Sequence, residues 1–192
     1  MRKLAVLLVL AIYVFLPTIP ASSSETPQAI PSAPLGTTDY PWSMFHHDSQ
    51  RTGTTPASAP SQPGLMWSFD TRATIYSSPA VVNGVVYITT YDWVYNTGTL
   101  YAIDEYTGQQ RWMFPTSRPI YASPAVANGI VYVAARDGFL YALSEQNGAL
   151  LWQRGNPNFP ITSSPAVANG KIFYGTWFVQ FWAQLIARDA NN

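Results

Sequence analysis

The residues with the plainest claim to chemistry are His46-His47-Asp48, two imidazoles and a carboxylate of the kind that ligate metals. Adjacent side chains on an extended segment point to opposite faces, so the two histidines do not converge on one ion. Local packing, with Asp48 as a turn or cap acceptor, is the plainer reading. Asp92, Asp104 and Asp137 fall at turns, and none pairs with a second acid as general acid–base work requires. No HExxH, GxSxG, glycine-rich phosphate loop or EF-hand loop occurs, so the standard catalytic signatures are missing. The absence of cysteine from all 192 residues excludes disulfides, thiolate metal sites, a CxxC redox pair and c-type haem. Ten basic against ten acidic side chains, with no basic run, argue against nucleic acid as the main partner. With 15% aromatic and 47% apolar residues, a buried core is feasible.

An internal repeat supplies the elements that position these groups. Ser78-Pro79-Ala80-Val81-Val82-Asn83-Gly84 recurs at Ser123–Gly129 and again at Ser164–Gly170, with prolines 45 and then 41 residues apart. Trp67, Trp112 and Trp152 keep nearly the same step, 45 and then 40. Each Asn-Gly lies between short β-rich runs and supplies the two positive-φ residues of a tight hairpin. Leu100–Asp104 and Leu140–Ser144 read as third strands, and Gln109–Phe114 and Ala149–Trp152 as fourth strands. Four short antiparallel strands in about 40 residues make one propeller blade. The second strands are almost continuously apolar, as expected where both sheet faces are covered. The fold class is therefore all-β: a β-propeller of four-stranded antiparallel blades, here an incomplete, about three-blade N-terminal fragment.

Ahead of the repeat, Arg2 and Lys3 precede thirteen uncharged residues, Leu4–Leu16, and then Pro17, Pro20 and the small residues Ala21–Ser24. That order is a secretory signal. Thirteen residues of helix span about 20 Å, short of a bilayer core of roughly 30 Å. An uncleaved N-terminal anchor is the alternative. Without Arg2 and Lys3 the balance is 8 basic against 10 acidic side chains, a net charge of −2. The expected domains are a signal peptide at 1–21, a Pro/Ser/Thr-rich lead-in at 22–63 with an aromatic docking motif at 40–53, and blades at 64–192. Within the last, a lone fourth strand (64–71) precedes blades at 72–116 and 117–156 and a partial blade at 157–192. The expected location is exported: secreted, periplasmic or cell-surface, with the membrane involved only through export.

Ala102-Ile103-Asp104-Glu105-Tyr106-Thr107-Gly108-Gln109-Gln110-Arg111-Trp112 resembles the signature of the PQQ-like (pyrroloquinoline quinone) β-propeller repeats, Ala-x-Asp-x-x-Thr-Gly-x-x-x-Trp. The second copy departs from it at Ser144 and Asn147 but keeps Gly148 and Trp152. The resemblance runs from about Trp42 to the end, and implies that the tryptophan of each repeat docks between neighbouring blades. On that reading Trp67, Trp112, Trp152, Asp104, Thr107, Gly108 and Gly148 are structural docking residues. A buried indole removing roughly 200 Å² at about 25 cal/mol/Å² contributes on the order of 5 kcal/mol gross.

The resemblance leaves three functions open. The family contains non-catalytic binding scaffolds and cell-surface proteins, and also quinoprotein dehydrogenases that use PQQ and Ca²⁺. For the dehydrogenases it implies a carboxylate base beside the quinone, and often a vicinal cysteine pair that this chain lacks. The first reading is an exported, non-catalytic scaffold with no evident cofactor, PQQ and Ca²⁺ entering only under the dehydrogenase alternative. Its candidate partner, a protein or another ligand, meets loop aromatics at one rim: Trp93, Tyr95, Trp177, Phe178, Phe181 and Trp182. The competing reading is that these loops lengthen the strands and pack on one another. Fewer than four blades do not close a ring, so the chain reads as part of a longer protein. A strand-exchanged six-bladed dimer is the alternative, which leaves the oligomeric state open.

Overall fold

The computed structural model describes residues 42–45, 64–177 and 183–190. The expected signal peptide, the lead-in apart from Trp42–Phe45, His46-His47-Asp48, and Phe178, Phe181 and Trp182 lie outside the described residues.

Every strand found is antiparallel, and there is no helix among the described residues. The first four-stranded sheet runs in sequence order through β1 (Ala80–Val82), β2 (Val85–Asp92), β3 (Thr97–Asp104) and β4 (Gln110–Thr116). The second repeats that order with β5 (Ala125–Ala127), β6 (Ile130–Ala134), β7 (Phe139–Ser144) and β8 (Leu150–Gly155). The third has β9 (Ala166–Ala168), β10 (Lys171–Thr176) and β11 (Gln184–Asp189). Each Asn-Gly turn takes the conformation its residues favour, with φ of +51° and +72° at Asn83-Gly84 and close to these in both later copies.

The short Ala-Val strands stand side by side, one per sheet, and the repeated serines tie them together. Ser78 N donates to Ser123 Oγ (2.8 Å), and Ser123 N donates to Ser164 Oγ (2.9 Å). The core lies between the sheets: Tyr87, Leu100, Ala102, Val131, Tyr132, Leu140, Ala142, Ile172 and Tyr174 are buried. β4 and β8 are the outer edges, which is why Pro115 is tolerated in β4.

Two segments differ from the sequence reading. Residues 64–71 form no strand. A chain becomes a strand only through a ladder, and no described strand runs beside this one. The loop that carries Trp93 and Tyr95 is shorter than an extended rim loop: Tyr91 pairs Gly98 and Asp92 pairs Thr97, leaving only Trp93–Asn96 as the turn. Its Thr and Tyr residues suit a pleated surface and simply continue the hairpin.

Candidate functional site

Antiparallel order puts the Asn-Gly turns and the third-to-fourth-strand turns at one end of each sheet. The second-to-third-strand turns and the links between sheets lie at the other. These two rims carry different chemistry.

At the first rim each third strand closes on its own hairpin: Glu105 N donates to Gly84 O (3.0 Å), Glu145 N to Gly129 O (2.9 Å) and Ala190 N to Gly170 O (2.8 Å). A β-bulge then falls at the same place in two sheets. Ala102 faces Trp112 while Ile103 faces Gln110, and Ala142 faces Trp152 while Leu143 faces Leu150. The extra residue, Arg111 or Leu151, twists the edge strand just before its tryptophan. Across the sheet face, Tyr87 and Trp112 approach over Ala102 with ring centroids 5.7 Å apart, and Tyr132 and Trp152 over Ala142 at 6.0 Å.

The indoles reach the following sheet. Trp67 Nε1 donates to Glu105 O (2.7 Å), and Trp112 Nε1 to Glu145 O (3.1 Å). A Cβ on Gly108 would lie 2.7 Å from the Trp67 ring, and one on Gly148 would lie 2.6 Å from the Trp112 ring. Both glycines also hold positive φ, +70° and +71°, so a side chain is opposed by backbone and space alike. Trp112 is buried, whereas Trp67 and Trp152 are half-buried. Asn191 and Asn192, which follow Ala190 in sequence, lie outside the described residues.

Asp104 organises the first of these turns. Its Oδ1 accepts from Tyr106 N (3.1 Å), Thr107 N (2.9 Å) and Thr107 Oγ1 (2.9 Å), while Oδ2 accepts from Arg111 Nη2 (2.7 Å) and Nε (3.2 Å). The Arg111 guanidinium, then the Thr107 donors, hold this carboxyl well below the usual carboxylate range. In the second turn Asn147 Oδ1 accepts from Ala149 N (3.1 Å), the bond Thr107 Oγ1 takes from Gln109 N (3.3 Å) in the first. Asn83 Nδ2 donates to Glu145 Oε1 (2.8 Å), a bond between sheets at this rim.

The opposite rim is aromatic. Trp93 and Tyr95 are 72% and 77% exposed on a turn held by Asp92, whose Oδ1 accepts from Val94 N (2.9 Å) and Tyr95 N (3.1 Å). Trp177, at the end of β10, is 47% exposed. Among the described residues neither Trp93 nor Tyr95 has a ring partner. Sequence reasoning missed a second aromatic group here: Tyr76, Tyr91 and Tyr121, with Arg136 beside them. The signal was present in the repeat phase, since Tyr76 and Tyr121 each stand three residues before a repeated proline.

Asp137 lies just below this rim and is buried. Its Oδ2 accepts from Tyr141 Oη (2.7 Å) and Ser117 Oγ (3.2 Å), and its Oδ1 from Phe139 N (3.1 Å). Burial, then Asp137, pushes the Tyr141 phenol up, so it is a neutral donor at ordinary pH. Among the described residues no three His, Asp or Glu side chains group as ion ligands. Asp92, Asp104 and Asp137 each serve their own turn, so these residues do not fit the oxygen set that Ca²⁺ needs.

A family model described as outer membrane protein assembly factor BamB (PQQ_2) matches residues 51–192. Among curated proteins none matches the chain. In structure the chain is similar to the quinohemoprotein alcohol dehydrogenase ADHIIG of Pseudomonas putida HK5, with TM-score 0.66 and 25% identity over 80% of this chain and 25% of that one. The quinohemoprotein alcohol dehydrogenase of Comamonas testosteroni gives 0.63 and 24% over 79% and 26%. BamB of Moraxella catarrhalis gives 0.54 and 20% over 65% and 36%. The chain thus spans a quarter to about a third of the length of these structures.

Proposed function

This chain belongs to the PQQ_2 family of PQQ-like β-propellers, and from that premise we propose that it is an exported, non-catalytic scaffold that binds its partner at the aromatic rim. The observation that carries the reading is how the two rims divide their labour. At the first, Asp104, Thr107, Gly108 and Gly148 are engaged in turns beneath Trp67 and Trp112, which supports a docking role for them, with Trp152 in the equivalent place. At the second, Trp93, Tyr95 and Trp177 present aromatic surface to solvent. Paired indoles stabilise an assembly, while unpaired ones at a rim suit a ligand. The expected division at 21, 63, 116 and 156 belongs to this proposal, as does export. Export is supported by the charged, apolar and small-residue sequence at 1–21 and by the outer-membrane wording of the family description.

The second reading, part of a PQQ- and Ca²⁺-dependent dehydrogenase, is favoured by the TM-scores of 0.66 and 0.63 to alcohol dehydrogenases. A cell-surface adhesion protein would share the scaffold and differ in its anchor. Titrating the native gene product with PQQ and Ca²⁺, followed by absorbance and dye reduction, separates the first two. The scaffold reading expects no saturable change. Saturable binding with dye reduction would establish the enzyme.

A further inference from the structure

We infer that Tyr76, Tyr91, Tyr121 and Arg136, at the junction of the first two blades, bind the carboxylate-bearing sugars of an acidic glycan. The inference deepens the rim-binding reading and rests on it, but its residues are different from those of the rim loops named above.

The three rings form one contiguous surface although they come from three separate segments. Tyr76 stacks on Tyr91 with centroids 6.3 Å apart and planes at 27°. Tyr121 lies 5.7 Å from Tyr76 and 5.3 Å from Tyr91. Backbone pairing of Thr74 with Tyr91 (3.0 and 2.8 Å) and the Ser78–Ser123 bond fix the segments that carry them. Tyr76 remains 65% exposed, and Tyr91 and Tyr121 are half-buried. Such a surface is not spent on the core.

Arg136 supplies the charge. Its guanidinium carbon lies 5.7 Å from the Tyr121 ring centroid, and its side chain makes no hydrogen bond or ion pair among the described residues. The adjacent Asp137 is already engaged by Tyr141, Ser117 and Phe139 N. A half-buried guanidinium held over a ring, with its donor fork free, is suited to a carboxylate taken two-pronged. Partial burial and Tyr121 push the Tyr91 phenol up, which keeps it a neutral hydroxyl able to donate and accept.

The ligand class follows from that combination. Phenol rings offer apolar faces to the C–H faces of a sugar ring and hydroxyls to its hydroxyls, and the guanidinium selects for an acid on the same ring. Nucleic acid needs more than one cation. Among peptides, an aromatic-lined surface suits proline-rich segments, which bring no carboxylate for the Arg136 guanidinium to engage. The place eight residues after the turn asparagine holds Tyr91, Arg136 and Trp177 in successive blades. Such a row across the rim suits a linear polymer.

The test is calorimetric titration of the full chain with oligogalacturonate, its methyl ester and poly-glutamate. Saturable binding of oligogalacturonate is expected, about tenfold weaker for the ester and weakening with salt. Arg136→Gln and Tyr76→Ser should each lower affinity about tenfold with unchanged thermal melting. Equal binding of the ester, tighter binding of poly-glutamate, no binding of oligogalacturonate, or no effect of Arg136→Gln each overturns the inference. An array of glycans and peptides probed with Trp93→Ser and Tyr95→Ser distinguishes the broader failure. Another ligand lost in those variants leaves rim binding standing, and no capture at all ends both.

Discussion

The turns at Asp104–Gln109 and Ser144–Ala149 occupy the same place in successive blades and are built differently. Their backbone bonds are the same: Asp104 N to Gln109 O and Gly108 N to Asp104 O in one, Ser144 N to Ala149 O and Gly148 N to Ser144 O in the other. Each glycine lies under the indole of the preceding repeat. Only the first turn has a carboxylate gathering three donors and a bulged arginine reaching back to it. The second replaces that arginine with Leu151 and keeps its shape. What both share, glycine beneath indole, is therefore the inter-blade device, and the Asp–Thr–Arg group is a local brace laid over it.

Removing the indole should break the shared device most severely. Trp112→Ala is expected to cost about 3–5 kcal/mol, read as a fall in denaturant midpoint, because a buried ring is lost and its cavity remains. Gly148→Ala comes next, at about 2–3 kcal/mol by the same measurement, since the new methyl meets the ring and φ is positive. Asp104→Asn should lower the melting temperature at neutral pH by less than either. The sign follows from a depressed folded pKa: the brace is fully present above the unfolded value near 4 and is lost as pH falls through the lower folded value. The gap between Asp104→Asn and the parent should therefore close progressively in acid melts. A constant gap would mean that charge is irrelevant to the turn. Trp93→Ser should change stability by no more than about 0.5 kcal/mol, because its ring is 72% exposed.

Legibility in the sequence followed whether a residue's neighbours were local. Asn83-Gly84 and its two copies announced their hairpins, because backbone sterics alone select those residues. The tryptophan step of 45 and 40 residues announced the stack, although not the bulges at Arg111 and Leu151 that aim the rings. A bulge is a mismatch between two strands and leaves no trace in either one. Residues 64–71 read as a fourth strand from the repeat phase of Trp67, but a strand needs a partner that repeat phase does not supply. In the Tyr76–Tyr91–Tyr121–Arg136 patch only Tyr76 and Tyr121 repeat; Tyr91 and Arg136 share one repeat place but differ in type, so the cluster as a whole stayed hidden.

A double-mutant cycle between Trp112→Ala and Gly148→Ala reads the indole–glycine contact directly. The account predicts coupling of at least about 1 kcal/mol, the double variant recovering part of the cost of the two singles. Costs that simply add would show that ring and glycine stabilise the protein independently, and that the blades are held together by something else.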